Sequence, residues 1–316
     1  MMLLKFVKSK QERAADIKLN KNLKGPFWVL FLGELIMEKY NNFNQNKIQD
    51  NLKNNISRKT ILKIYDKVDS TNNQAKDLIE SSIAELKLLK NDKLFVFAAD
   101  SQLAGRGRRG HSWLSSDPAS MAVSFLFKPN SNTDKIPQIT AAAALAVQDT
   151  FNFFDLKTVI KWPNDILVDH KKICGILSEL VLNRKNEAFV VVGCGINLNN
   201  EFFASEIQAI ATSYYLEKNK KINKNIFLAR LIEKIETHIT NYFSGSRENI
   251  INKWKKRLNL TGKKIDFIHN GEKQTGFIKE VLDSGNLLVV LADGREKELQ
   301  SATTSLDYQS LSKYND

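Results

Sequence analysis

Residues 105–113, GRGRRGHSW, set Arg106, Arg108 and Arg109 among three glycines and end on Trp113. Three guanidinium groups this close repel one another unless an anion lies between them. Their planar forks match phosphate and carboxylate oxygens. Gly107 and its neighbours lack a Cβ, so the backbone can wrap closely around a ligand. The glycines also spell G-x-G-x-x-G, but a dinucleotide fingerprint needs a helix directly after the turn. Here the turn is followed by LSSDPAS, rich in turn formers, so the nucleotide-fold reading of the glycines fails. A solvated basic loop remains the alternative at this stage. Two further clusters bear on the choice. KWPND, residues 161–165, ends a strand on Lys161, stiffens the exit with Pro163 and presents Asn164 and Asp165 at the same edge. GCGIN, residues 193–197, ends another apolar strand on glycines and Asn197, which admits a flat ligand to the backbone. The ordinary alternatives are a strand-to-turn connection for the first and a bulge for the second.

The elements that must position these residues are readable from periodicity. TILKIYDKV (60–68), LFVFAAD (94–100), MAVSFLFK (121–128), TVIKW, KKICGILSEL and AFVVVGCGINL read as strands. Thr71 and Gln74 have capping-box spacing ahead of a stripe formed by Ala75, Leu78, Ile79, Ile83 and Leu86. Pro137 suits the first turn of an Ala-rich helix ending near Phe154, and NIFLARLIEKIETHITNYF is a second long helix. Strands and helices mixed without strict alternation predict an α+β fold, with a mixed or mainly antiparallel sheet and helices on one face. From Lys263 the texture changes to short strands punctuated by Asn270-Gly271, Ser284-Gly285 and Asp293-Gly294, which predicts a small C-terminal β-barrel or sandwich. The boundaries expected are an N-terminal extension over 1–57, a main domain over 58–260 and the small β domain over 261–316.

Composition narrows the function classes. Lys and Arg exceed Asp and Glu by 47 to 35, a formal net charge of +12, which favours anionic partners without choosing among them. Cys174 and Cys194 are the only cysteines and both sit in apolar runs, so no disulfide framework is expected and a cytoplasmic protein is the default. The apolar patch at 27–37 is too short to span a bilayer and carries Glu34.

Taken together and in this order, DSTN (69–72), QLAGRGRRGHSW (102–113), KWPND, KKICGILSE (171–179) and GCGIN resemble the biotin protein ligases, from about Ser70 to the C-terminus. The resemblance implies a class II synthetase-like catalytic domain and an SH3-like C-terminal barrel. It implies ATP-dependent activation of biotin to biotinyl-5′-AMP, helped by Mg2+, then transfer to a lysine of a biotin carboxyl carrier domain. Carried over by position, Ser70, Thr71, Asn72, Gln102, Arg106, Gly107, Arg108 and Lys161 would bind biotin. Arg106, Arg109, Trp113, Asn164, Lys172 and Asn197 would bind ATP or the adenylate. Lys161 and Arg108 would be catalytic, and Asp165 would help position the metal. His111 departs from the arginine of many relatives. Two rival functions are a lipoate or octanoate ligase and a bifunctional ligase that also represses transcription. Some relatives carry an N-terminal winged helix-turn-helix, but residues 1–57 lack a readable recognition helix, so DNA is not expected as a partner. A membrane is not expected either, and a homodimer is compatible with the sequence.

Overall fold

The structure is a computed structural model, and it describes residues 42–81, 83–89, 93–113, 117–129 and 136–315. The apolar patch at 27–37 and most of the N-terminal extension lie outside the described residues, which fall in one unit, Tyr40–Asp316. Two short helices, α1 (Gln45–Asn51) and α2 (Asn54–Ser57), lead into a seven-stranded sheet. Its strands are β1 (Thr60–Val68), β2 (Leu94–Gln102), β3 (Ser120–Phe127), β4 (Val159–Lys161), β5 (Asp165–Val168), β6 (Lys171–Leu182) and β7 (Ala188–Asn197), in spatial order β1-β2-β3-β7-β6-β5-β4. β1 and β2 are parallel and every other pairing is antiparallel, so the sheet is mixed as expected.

Strand residues alternate between two faces. On β2, Val96 and Ala98 enter the larger core, while Phe95 and Phe97 enter a second one. The larger core is covered by the long helices α5 (Ile136–Phe153), α7 (Lys224–Phe243) and α8 (Arg247–Leu258); the run Ala141–Ala144 is wholly buried, and small side chains there let α5 approach closely. The expectation of helices on one face holds for these three. The other face also carries α3 (Thr71–Ser81) and α4 (Ile83–Leu89), read from sequence as one stripe. Thr71 is not an N-cap. It is the first residue of α3, and Asp69 takes the side chains of Asn73 and Gln74 instead.

That second face is only half covered. On β7, Phe189 and Val191 pack beneath α3 and α4, and the next two residues on the same side are Gly193 and Gly195. On β3, Leu126 is followed inward by Ser124 and Ala122; on β6, Val181 is followed by Glu179, Leu177 and Gly175. The register aligns Ala122, Gly195 and Gly175 in one row and Ser124, Gly193 and Leu177 in the next. Apolar bulk under the helices thus gives way to a shallow floor of small residues.

The short α6 (Tyr214–Lys218) follows β7, and past α8 a five-stranded antiparallel sheet is built from β8 (Lys264–His269), β9 (Glu272–Val281), β10 (Leu287–Leu291), β11 (Glu296–Leu299) and β12 (Thr304–Asp307), in order β11-β10-β9-β8-β12, before α9 (Ser310–Asn315). Its attachment is specific: Trp162 donates from its backbone to the Tyr308 hydroxyl at 2.6 Å and from its indole to the Gly285 carbonyl at 2.8 Å.

Candidate functional site

The glycine floor opens into a cavity of ≈ 260 Å³. One wall is the N-terminus of α3, with Ser70, Thr71 and Asn72, together with Gln102 from the end of β2. The loop after β2 forms the roof. It leaves the sheet through Leu103 and Ala104, which donate to the carbonyls of Val68 and Asp69, and folds back as a small hairpin with Arg106 paired to Ser112. Arg108–Gly110 makes a single 3-10 turn, so no helix follows the glycines. Arg109 sits at φ 54, a left-handed conformation that costs a non-glycine residue roughly 1–2 kcal/mol. The turn is tied to the C-terminal sheet through both arginines.

Among the described residues, the cavity lining includes Arg106, Arg108, Arg109, Lys161 and Lys172, against a single carboxylate, Asp165. Asp165 pairs with Lys172 at 2.6 Å. Burial and the adjacent Arg109 push the Arg108 guanidinium below its ordinary value, with Asp165 opposing them. A guanidinium does not give up its proton near neutral pH, so this crowding amounts to an unmet demand for negative charge. Lys161 ends β4 and lies over the Tyr308 ring, 5.5 Å from its centroid. Trp113 lies flat on the floor. A Cβ on Gly195 would come within 2.3 Å of the indole, and Lys172 sits 5.5 Å from the ring centroid. The Trp113 indole nitrogen is buried against this floor without a hydrogen-bond partner among the described residues.

Of the residues singled out in sequence, Ser70, Thr71, Asn72, Gln102, Arg106, Gly107, Arg108, Arg109, Trp113, Lys161, Asn164, Asp165 and Lys172 all line this one cavity. Asn197 does not. Its side chain donates to the Thr212 carbonyl at 3.0 Å and is buried. Sequence reasoning missed the contribution of the C-terminal sheet. Arg108 donates to the Ser301 carbonyl and hydroxyl, both at 2.9 Å, and to Asn164 Oδ1 at 3.1 Å. Arg109 donates to Ser301, Thr304 and Ser305. Lys224 was also missed. Fully buried at the start of α7, it reaches the Pro118 carbonyl at 2.8 Å and Asp100 at 3.1 Å, tying the loop exit to β2. Burial lowers its ammonium to about 8 in spite of Asp100. Nothing in the local sequence marks either contribution, because each depends on contacts across 100 residues or more.

A mixed sheet with a cationic, glycine-floored cavity under an arginine turn defines an α+β protein with a site suited to anions. Residues 66–197 match the Biotin/lipoate A/B protein ligase family. It is 30% identical over 215 residues to the bifunctional ligase/repressor BirA of Bacillus subtilis, covering 67% of this chain and 63% of that protein. It is 29% identical over 205 residues to the biotin–[acetyl-CoA-carboxylase] ligase of Paracoccus denitrificans, 63% of this chain and 85% of that protein. The biotin protein ligase of Aquifex aeolicus, solved in complex with biotin and ATP, superposes with a TM-score of 0.65 at 26% identity, covering 78% of this chain and 98% of that one. The match to the Bacillus protein thus spans under two thirds of its length. Among the described residues, no helix is long and apolar enough to cross a membrane.

Proposed function

We propose that this protein is an ATP-dependent biotin protein ligase. The observation that carries the reading is five cationic side chains and one carboxylate around a single small cavity. Joining two anions requires this. A carboxylate oxygen of biotin attacks the α-phosphorus of ATP, the bond to the β-phosphate breaks, and pyrophosphate leaves. Fixed positive charge lowers the repulsion on approach and stabilises the charge that builds on the leaving group. In the second step the amine of a carrier lysine attacks the acyl carbon and AMP departs.

In this scheme Lys161 sits between the carboxylate and the α-phosphate, and Arg106, Arg108 and Arg109 close over the phosphate side. Gln102 and the start of α3 receive the ring of biotin, and Trp113 separates it from the nucleotide. Lys172 and Asn164 support the phosphates, Asn164 by steering Arg108. Mg2+ fits the donor set in one respect: such ions are held by one or two carboxylates plus substrate phosphates, and Asp165 is the carboxylate at hand. Bound there, it would neutralise phosphate charge. Asn197 acts behind the site, through Thr212.

The rival acyl substrates, lipoate and octanoate, present no polar ring to this wall. A ring that carries N–H and C=O groups offers hydrogen-bond partners to a wall lined by Thr71 and Gln102, and an apolar chain offers none. The partner is a biotin carboxyl carrier domain in the cytoplasm, and DNA binding is not part of the reading. The test is pyrophosphate exchange with biotin, lipoate and octanoate in turn, followed by the mass of a carrier domain incubated with ATP, Mg2+ and the active acid. Exchange with biotin and a carrier heavier by one biotinyl group are expected. Exchange with lipoate alone would overturn the assignment, and sequence-specific, salt-sensitive DNA binding by the full chain would overturn its restriction to ligation.

A further inference from the structure

Through the cavity wall runs a chain of hydrogen bonds, buried at Ser124 and partly exposed at Lys76 and Glu179, whose direction is set at its far end. Lys76 pairs with Glu179 Oε1 at 2.7 Å, and Asn72 Nδ2 donates to Glu179 Oε2 at 2.7 Å. A carboxylate facing an ammonium only accepts, so Asn72 must turn its nitrogen to Glu179 and its oxygen the other way. That oxygen lies 2.6 Å from the Ser124 hydroxyl, and an amide oxygen also only accepts, so the Ser124 proton goes to Asn72. Ser124 Oγ is in turn 2.7 Å from Thr71 Oγ1. With its own proton spent, Ser124 can only accept here, so Thr71 supplies that proton. Thr71 then meets the cavity with lone pairs. Its backbone N–H holds Gln102 Oε1 at 2.8 Å, which leaves Gln102 an N–H donor to its other neighbours. Thr71 Oγ1 also lies 3.1 Å from Gln102 Oε1, but that oxygen is already held by the Thr71 N–H and the Ser124 oxygen is nearer, so the Thr71 proton goes to Ser124, which is completely buried and has no water to turn to.

We infer that Ser124 and Glu179, backed by Lys76, are positioning residues that set the hydrogen-bond polarity of the wall, making Thr71 an acceptor for a ligand N–H beside the Gln102 donor. This deepens the proposed function and rests on it: a cyclic urea, which offers N–H and C=O side by side, is the ring chemistry such a wall selects.

The decisive substitution is Glu179→Gln. Lys76 draws the new amide oxygen to itself, the amide nitrogen faces Asn72, and Asn72 has to reverse. Ser124 then donates to Thr71, whose proton turns to Gln102, and the acceptor at the cavity is spent. Calorimetry on the full chain would give dissociation constants for biotin and for biotin methylated on a ureido nitrogen. The parent protein should prefer biotin by about tenfold or more, the loss expected of one buried hydrogen bond in addition to the steric cost. Since the methyl group is the same in every measurement, the change in this ratio between proteins reports the polarity. In Glu179→Gln the ratio should fall several-fold while the melting temperature stays near the parent's, because Glu179 is partly exposed. Ser124→Ala should lower the ratio in the same direction. An unchanged ratio in Glu179→Gln overturns the inference. Failure of the parent protein to bind biotin at all overturns the proposed function itself, so the two failures are distinct.

Discussion

Gly193→Ala tests the floor with one methyl group. A Cβ at this position would stand 2.2 Å from Asn72 Oδ1, 2.9 Å from its Cγ and 3.1 Å from its Nδ2. A carbon and an oxygen come to rest at about 3.3–3.6 Å, so the amide must retreat by roughly 1 Å or more. Little retreat is available, since Gly193 is fixed in register with Ser124 on one side and Leu177 on the other. Asn72 therefore gives up its bond to the Glu179 carboxylate and the one it accepts from Ser124. At roughly 1.5–3 kcal/mol for the charged bond and about 1 for the neutral one, with some relaxation, the loss is about 2–4 kcal/mol. For a chain of this size that lowers the melting temperature by about 3–6 °C. Scanning calorimetry reads this loss, and titration with biotin should show weaker binding in the same sample. A variant that melts within about one degree of the parent and binds biotin equally would refute the claim that the missing side chain at 193 makes room for Asn72.

Lys161→Ala should lower pyrophosphate exchange by about a hundredfold or more, the scale of one lost charge-stabilising group, with an unchanged melting curve because the side chain lies at a strand end. Arg108→Ala should raise the leakage of biotinyl adenylate into solution about tenfold, whereas Ser301→Ala, which keeps the carbonyl contact, should stay within about threefold of the parent; chromatography of the released adenylate measures both. A third site governs acid stability. Burial alone would raise the Asp149 pKa, but hydrogen bonds from His238 and Arg257, with the charges of Arg257 and Lys253, hold the carboxyl well below its usual range. The unfolded chain then binds this proton at higher pH than the folded one. The stabilisation is complete above the ordinary carboxylate pKa near 4 and is lost as pH falls below it. Asp149→Asn should lower the melting temperature at pH 7 and flatten its fall between about pH 4 and 2, and an equally steep acid limb would count against this role.

The strands were legible wherever side chains alternate or stay apolar over a long run: β1 coincides with TILKIYDKV, and β2, β3, β6 and β7 fall on the segments chosen. Residues 165–168 were not, because four residues directly after Lys-Trp-Pro-Asn read as the exit of one strand and in fact form β5, which pairs back on β4. At the site, charged and glycine positions stood out because their types are unusual for the elements that carry them. Ser124 did not, since a lone serine in an apolar strand gives no signal until the register puts it beside Thr71 and Asn72. Asn197 misled for the opposite reason. A polar residue after a glycine turn looks available, yet its partner, Thr212, is fifteen residues away and invisible to local pattern.

The grip of Ser301, Thr304 and Ser305 on the arginine turn, together with Tyr308 beneath Lys161, bears on how the protein can be dissected. A fragment cut after residue 260 would retain every motif visible in the sequence and still lack the scaffold that aims two of its arginines. Supplied separately as a second polypeptide, residues 261–316 would act as a complementing half, and restored activity would titrate with its concentration.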